Sequence, residues 1–182
     1  GFIDLQLRSI GYQVSGQIAG PASFSVDDNF VFFNPKAGLT YEVASGQKLY
    51  FSYAKAQREP NRTDYENGNP KPEKLDDFEL GWRINTPKLQ AQTNVYWMEY
   101  KDQLVLTGAI DAVGSPIRQN VGKSRRIGIE LEFKINLNSN WLWQPNIALS
   151  SNQNLDFYFK RDGVLENLGK TQLAYSPNLV GG

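Results

Sequence analysis

The chain has no cysteine and no histidine. Without cysteine there is no disulfide framework and no thiolate metal site. Without histidine the usual general base and the commonest zinc ligand are gone. Phosphate-cradling glycine motifs, His-based triads and calcium loops are missing as well. No catalytic group, metal or cofactor is therefore expected. Charge of one sign is not in excess: 19 basic residues balance 19 acidic ones, which leaves no nucleic-acid footprint. No apolar run reaches the roughly 18 residues of a membrane-crossing helix. That absence excludes helical membrane proteins only, because strands that alternate apolar and polar residues carry a weak hydropathy signal. No signal peptide opens the chain. Phe2 and Ile3 already stand in a strand pattern, as in an excised piece or a mature segment.

What is present is alternation. From Ile127 to Leu137 every odd position is large and apolar (Ile127, Ile129, Leu131, Phe133, Ile135, Leu137). Every even position is glycine or polar (Gly128, Glu130, Glu132, Lys134, Asn136). Successive side chains of a strand point to opposite faces, so this is one strand with an oily and a wet side. Eleven residues span about 36 Å, or roughly 25 Å along a membrane normal at a tilt of about 45°, which is the height of a barrel's apolar band.

The same pattern predicts about eight strands. They run Phe2 to Val14, Asn29 to Ala44, Lys48 to Gln57, Asp76 to Asn85, Lys88 to Lys101, Ser124 to Asn138, Trp141 to Asn152, and from Lys170 onward. A slip of phase near Ser9 and the proline at Pro145 each predict a bulge. No helix is expected. Tight turns fall at Ser45-Gly46, Thr86-Pro87 and Asn138-Ser139-Asn140. Long loops are expected over Gly16 to Asp28, Arg58 to Leu75, Asp102 to Lys123 (with a small hairpin around Val113-Gly114-Ser115) and Asn152 to Gly169. Strict alternation of long and short connections is the habit of an up-and-down membrane barrel. Trp82, Trp141 and Trp143 near the short turns, with Tyr50, Tyr53, Trp97 and Tyr100 within the strands or toward their far ends, fit two interfacial aromatic belts. The fold expected is all-β: an antiparallel up-and-down meander, part of a larger transmembrane β-barrel. The competing reading is a soluble all-β binding or adhesive surface domain, whose odd positions would be buried under a second layer.

One region carries a family resemblance. Tyr50-Phe51-Ser52-Tyr53 leads to Arg58-Glu59-Pro60, then Asn69-Pro70, Lys71-Pro72-Glu73 and Glu79-Leu80-Gly81. Asn94 to Asp102 and Asn120 to Ser124, running into Gly128-Ile129-Glu130, continue the series. This order of motifs resembles the barrel of TonB-dependent outer-membrane receptors, well from about Asn34 to Phe133 and by pattern elsewhere. The resemblance implies a barrel of about 22 strands with a plugged lumen. It implies active uptake of a scarce solute, typically a ferric siderophore, cobalamin or an oligosaccharide. It further implies an outer-membrane location in contact with lipid, and a TonB-type energy-transducing partner. Residues 1–182 would be one segment of that barrel, with the plug domain and the closing strands outside it.

Candidate sites follow from that reading. Arg58, Asn61, Arg62 and Tyr65, with Glu59 and Asp64, gather on one outer loop and suggest ligand contact; the plainer reading is a loop held by its own ion pairs. Arg118, Asn120, Lys123, Arg125 and Arg126 can attract an anionic solute, or form an ordinary solvated rim. Gln90, Gln92, Asn94, Glu130, Glu132 and Lys134 would line the lumen and face a plug. Glu130 and Glu132 make a carboxylate pair of the kind used in glycoside hydrolysis, but a polar wall explains them better.

Overall fold

The computed structural model describes residues 1–17, 23–111, 114–161 and 164–182. Its elements are β1 (Phe2–Gln17), β2 (Ser23–Ala44), β3 (Gln47–Arg58), α1 (Arg62–Glu66), β4 (Glu73–Asn85), β5 (Leu89–Ile110), β6 (Pro116–Asn136), β7 (Leu142–Trp143), β8 (Asn146–Arg161), β9 (Val164–Gln172) and β10 (Leu179–Gly181). They form one antiparallel sheet of ten strands in the order β1-β2-β3-β4-β5-β6-β8-β10, with β7 on β6 and β9 on β8. The meander and its all-β character are as the alternation predicts.

The side-chain alternation produces two faces across the whole sheet. On one face, Leu39, Phe51, Leu80, Val95, Ile129, Leu149 and Leu179 are direct cross-strand partners in a single row. Leu39 is 69% exposed and Leu80 54%. Among the described residues all strands belong to one sheet, and no second layer covers this row. A sandwich would bury this row, whereas among the described residues it stays open. A polar row runs on the other face: Glu42, Lys48, Arg83, Gln92, Glu132 and Asn146, again in direct register.

Several predicted loops are in fact strand. β5 has 22 residues and β6 has 21. A bilayer needs only about 9–11, so each continues well past the apolar band. Asp102 to Lys123 is therefore an extended hairpin, shifted in register between Leu106 and Ile110. It closes through Asp111 and Ser115, with Gly114 at φ +85°; Val113 lies outside the described residues. The expected loop from Gly16 likewise shortens, since β1 and β2 pair as far as Gln17 and Ser23. The stretch from Asn152 pairs as β8 with β9.

Neither predicted bulge occurs. β1 keeps one register with β2 from Phe2 to Gln17. What inverts at Ser9 is the surroundings. Ile3, Leu5 and Leu7 face the apolar side, and beyond them Ser9, Gly11 and Gln13 occupy that same side. Ile10, Tyr12 and Val14 turn to the other face, where they are half-buried. At Pro145 the register is also unbroken, because Trp143 pairs Ile135 and Asn146 pairs Glu132 in the same phase. Proline removes one donor but still accepts from the Phe133 amide at 3.0 Å. β7 and β8 are thus one strand interrupted by a missing hydrogen bond. The expected eighth strand is also interrupted: β9 pairs the upper part of β8 and β10 the lower part.

Short turns gather at one end. Gly46 at φ +73° accepts from the Asn85 amide at 2.7 Å, and a side chain there would strike the Asn85 carbonyl. Asn138 accepts from the amides of Asn140 and Trp141. Where the hairpins extend at the other end, Val105, Val121, Phe157 and Leu173 make a small core.

Candidate functional site

The polar face and the rim above it carry the chemistry. Gln90, Gln92 and Asn94 stand directly opposite Lys134, Glu132 and Glu130. All six residues expected to line a lumen therefore come together as three cross-strand pairs on one face. Neighbouring strands extend the wall: Asn85, Arg83 and Gly81 oppose Gln90, Gln92 and Asn94. Tyr50 donates its hydroxyl to Asn94 Oδ1 at 3.0 Å and lies under the Arg83 guanidinium, 4.8 Å from the ring centre. Tyr50 and Tyr100 thus belong to this wall and not to an interfacial belt; Arg126 sits 4.8 Å over the Tyr100 ring.

The belt on the apolar face keeps Tyr53 and Trp97 of the expected set and adds Phe78. Tyr53, Phe78, Trp97 and Ile127 form its far row. Tyr53 donates to Asp76 at 2.6 Å, and Trp97 Nε1 donates to Glu99 at 2.8 Å. Amphipathic rings with their polar atoms turned toward charge are the usual anchors of a membrane interface.

Most of the rim residues singled out above make internal side-chain contacts. Arg58 pairs with Glu73 at 2.5 Å, and Glu73 accepts the Leu104 amide at 2.6 Å. Asn61 caps α1 in a reciprocal box with Asp64: its Oδ1 accepts the Asp64 amide, and the Asp64 carboxylate accepts the Asn61 amide. Arg62 pairs with Glu66 at 2.7 Å and covers the Phe24 ring at 5.6 Å. Tyr65 donates to Asp28 at 2.7 Å and stacks on Tyr12 at 5.4 Å. Arg118 pairs with Asp64 at 3.0 Å. Asn120 accepts the Lys71 amide and donates to the carbonyls of Lys71 and Asp102.

The loop after β3 is therefore a brace. It joins the β1–β2 hairpin, through Tyr12, Phe24 and Asp28, to the β5–β6 hairpin, through Arg118 and Asn120. The Arg58–Glu73 and Arg62–Glu66 pairs lie within the stretch itself, as does the Asn61–Asp64 cap, whereas Glu59 and Asp64 pair with Arg8 and Arg118 on other hairpins. Burial, reinforced by the Asp28 carboxylate, pushes the Tyr65 phenol up from its ordinary value of 10. Sequence reasoning missed Tyr12, Asp28 and the helix, although Asn61 followed three residues later by a carboxylate is a capping signal. The basic group splits: Arg126 faces the polar wall, whereas Lys123 and Arg125 lie in register with Lys101 and Glu99 on the apolar side.

A family model described as TonB dependent receptor-like, beta-barrel matches residues 6–182. Among solved structures, the chain is similar to the copper transporter OprC, at 23% identity over 84% of this chain and 26% of that one, with a TM-score of 0.63. It is similar to the ferric-catecholate import receptor Fiu from E. coli K12 in its closed form, at 17% identity over 97% of this chain and 28% of that one, TM-score 0.63. It is similar to the ferric yersiniabactin uptake receptor FyuA from Yersinia pestis, at 18% identity over 98% of this chain and 27% of that one, TM-score 0.59. At these identities the likeness is one of fold. The chain spans 26–28% of the length of these proteins. No curated protein matches it.

Proposed function

The chain belongs to the TonB-dependent receptor β-barrel family, and on that footing we propose that it is a wall segment of an outer-membrane receptor for active uptake of a scarce solute. One observation carries the reading: the same strands hold an uncovered apolar row on one side and an unbroken polar row on the other. Lipid suits the first side and an aqueous, plugged lumen the second. Gln90, Gln92, Asn94, Glu130, Glu132 and Lys134 then meet the plug domain. The rim brace shapes the outer mouth. Of the rim candidates, Arg58 and Arg62 keep 58% and 52% of their side chains exposed, so these two are the best placed to meet an anionic chelate. A TonB-type protein would supply energy through the parent receptor.

Ferric siderophores, cobalamin and oligosaccharides are the solute classes to test, with metal ions and ferric chelates first, since proteins of this fold handle them. The test uses the full-length parent receptor. Its uptake of a panel of labelled ferric chelates, cobalamin and glycans is measured with and without the energy-transducing partner. Partner-dependent uptake of one class is expected. Recovery of the intact receptor in the soluble fraction without detergent, or uptake indifferent to the partner across the panel, rejects the reading.

A further inference from the structure

Above the aromatic row the apolar face ends in an arrangement of charge that its own side chains do not balance. The next row outward is Lys55, Asp76, Glu99, Arg125 and Gln153, in direct register. Its acids are engaged: Asp76 by the Tyr53 hydroxyl, and Glu99 by Arg125 at 2.6 Å and by Trp97. The row beyond is Gln57, Lys74, Lys101 and Lys123. Lys74, Lys101 and Lys123 are all exposed. Among the described residues no ion pair involves any of the three.

The Cβ atoms of directly opposed residues stand about 4.5–5.5 Å apart, and like charges on such a pair destabilise a sheet unless something balances them. Three in one row call for an anion from outside the chain. The face identifies its source. These lysines are in phase with Trp97, Val95 and Leu80, on the side away from the polar wall, where a solute in transit would not pass. Lys101 is four residues beyond Trp97, about 13 Å along the strand and roughly 9 Å along the normal at a tilt of about 45°. With the indole at the interface, that is headgroup depth.

We propose that Lys74, Lys101 and Lys123, flanked by Arg125, form a binding site for the phosphate groups of a lipid headgroup in the outer leaflet. The site rests on the membrane reading above. Its three strands span about 10 Å at the usual strand spacing, which admits two phosphates of one headgroup.

The test uses the full-length receptor in neutral-detergent micelles, with retention of a bis-phosphorylated glycolipid (lipid A) read by native mass spectrometry against phosphatidylcholine. At about fivefold per charge near an anionic headgroup, K74Q/K101Q/K123Q is expected to bind lipid A roughly a hundredfold more weakly. The charge-matched K36Q/K88Q/K170Q and the conservative K74R/K101R/K123R should bind as the parent does, which keeps the test decisive if the glutamine variant folds poorly. Pyrophosphate should displace lipid A only at far higher concentration. Undiminished retention by K74Q/K101Q/K123Q, loss in the arginine variant, or displacement by pyrophosphate at the lipid's own concentration overturns the site. A receptor that never partitions into detergent fails the membrane reading itself; one that partitions normally while the glutamine variant retains lipid A fails this site alone.

Discussion

The ring of Tyr50 lies across Gly81, its direct partner on the next strand, so closely that a Cβ at position 81 would collide with the hydroxyl edge of the ring. The same relation joins Tyr96 to Gly128 and Phe2 to Gly38, both direct partners. An aromatic ring laid over a cross-strand glycine covers the bare backbone and pins the register. It also aims the Tyr50 hydroxyl at Asn94. The glycine of the Glu79-Leu80-Gly81 element thus has a packing reason.

Gly81→Val should displace Tyr50, break its bond to Asn94 and cost about 1–3 kcal/mol, the usual range for overpacking. In a Tyr50→Ala background the same change should cost much less, because the clash is gone. Urea unfolding of the parent receptor in vesicles measures the cycle. Equal costs in the two backgrounds would contradict the packing.

Arg118→Ala should leave Asp64, only 4% exposed, without its cation. Stranding a buried charge costs about 3–5 kcal/mol, more than a short helix has to spare. Hydrogen exchange should accelerate over residues 59–72 while β4 and β5 near Leu80 and Val95 keep their protection. Slow exchange throughout would show that the brace does not depend on this pair.

Docking of α1 should be sensitive to alkali. The Tyr65 phenol is pushed up by burial and by Asp28, so the folded state favours the protonated form. The stabilisation is fully present below the ordinary tyrosine value of 10 and is lost as pH rises through the higher folded value. Protease cleavage of the loop should therefore climb only in strong alkali. Tyr65→Phe should weaken docking near neutral pH by about 1.5–3 kcal/mol, as for a hydrogen bond to a charged group, and should abolish the alkaline step. An alkaline step of unchanged size in Tyr65→Phe would count against Tyr65 as its source.

The two faces can be told apart by charge. Val95→Arg, in the middle of the apolar row, should destabilise the receptor in a bilayer by about 2–4 kcal/mol. Gln92→Lys, on the polar face opposite Glu132, should change stability by no more than about 0.5 kcal/mol. Equal effects would mean that both faces meet water.

How much could be read beforehand differs from strand to strand. Ile127 to Leu137 declared its two faces because apolar and polar residues alternate there without a break. The short turns were equally legible, since Gly46 and Asn138 do local work that their own chemistry announces. Above the apolar band the reading failed. There both sides of a strand meet water or another hairpin, the two-residue contrast fades, and Asp102 to Lys123 passes for a loop although it is paired strand.

Local periodicity by itself therefore decided the meander, the pairing of faces and which side is apolar, because these depend on residues one or two positions apart. Only the tertiary structure decided that Ser9 marks a change of surroundings on an unbroken strand, that Asp64 and Tyr65 reach Arg118 and Asp28 on separate hairpins, and that three lysines distant in sequence share one row. Those facts come from the register between strands, which brings together residues whose separation along the chain carries no signal of their contact.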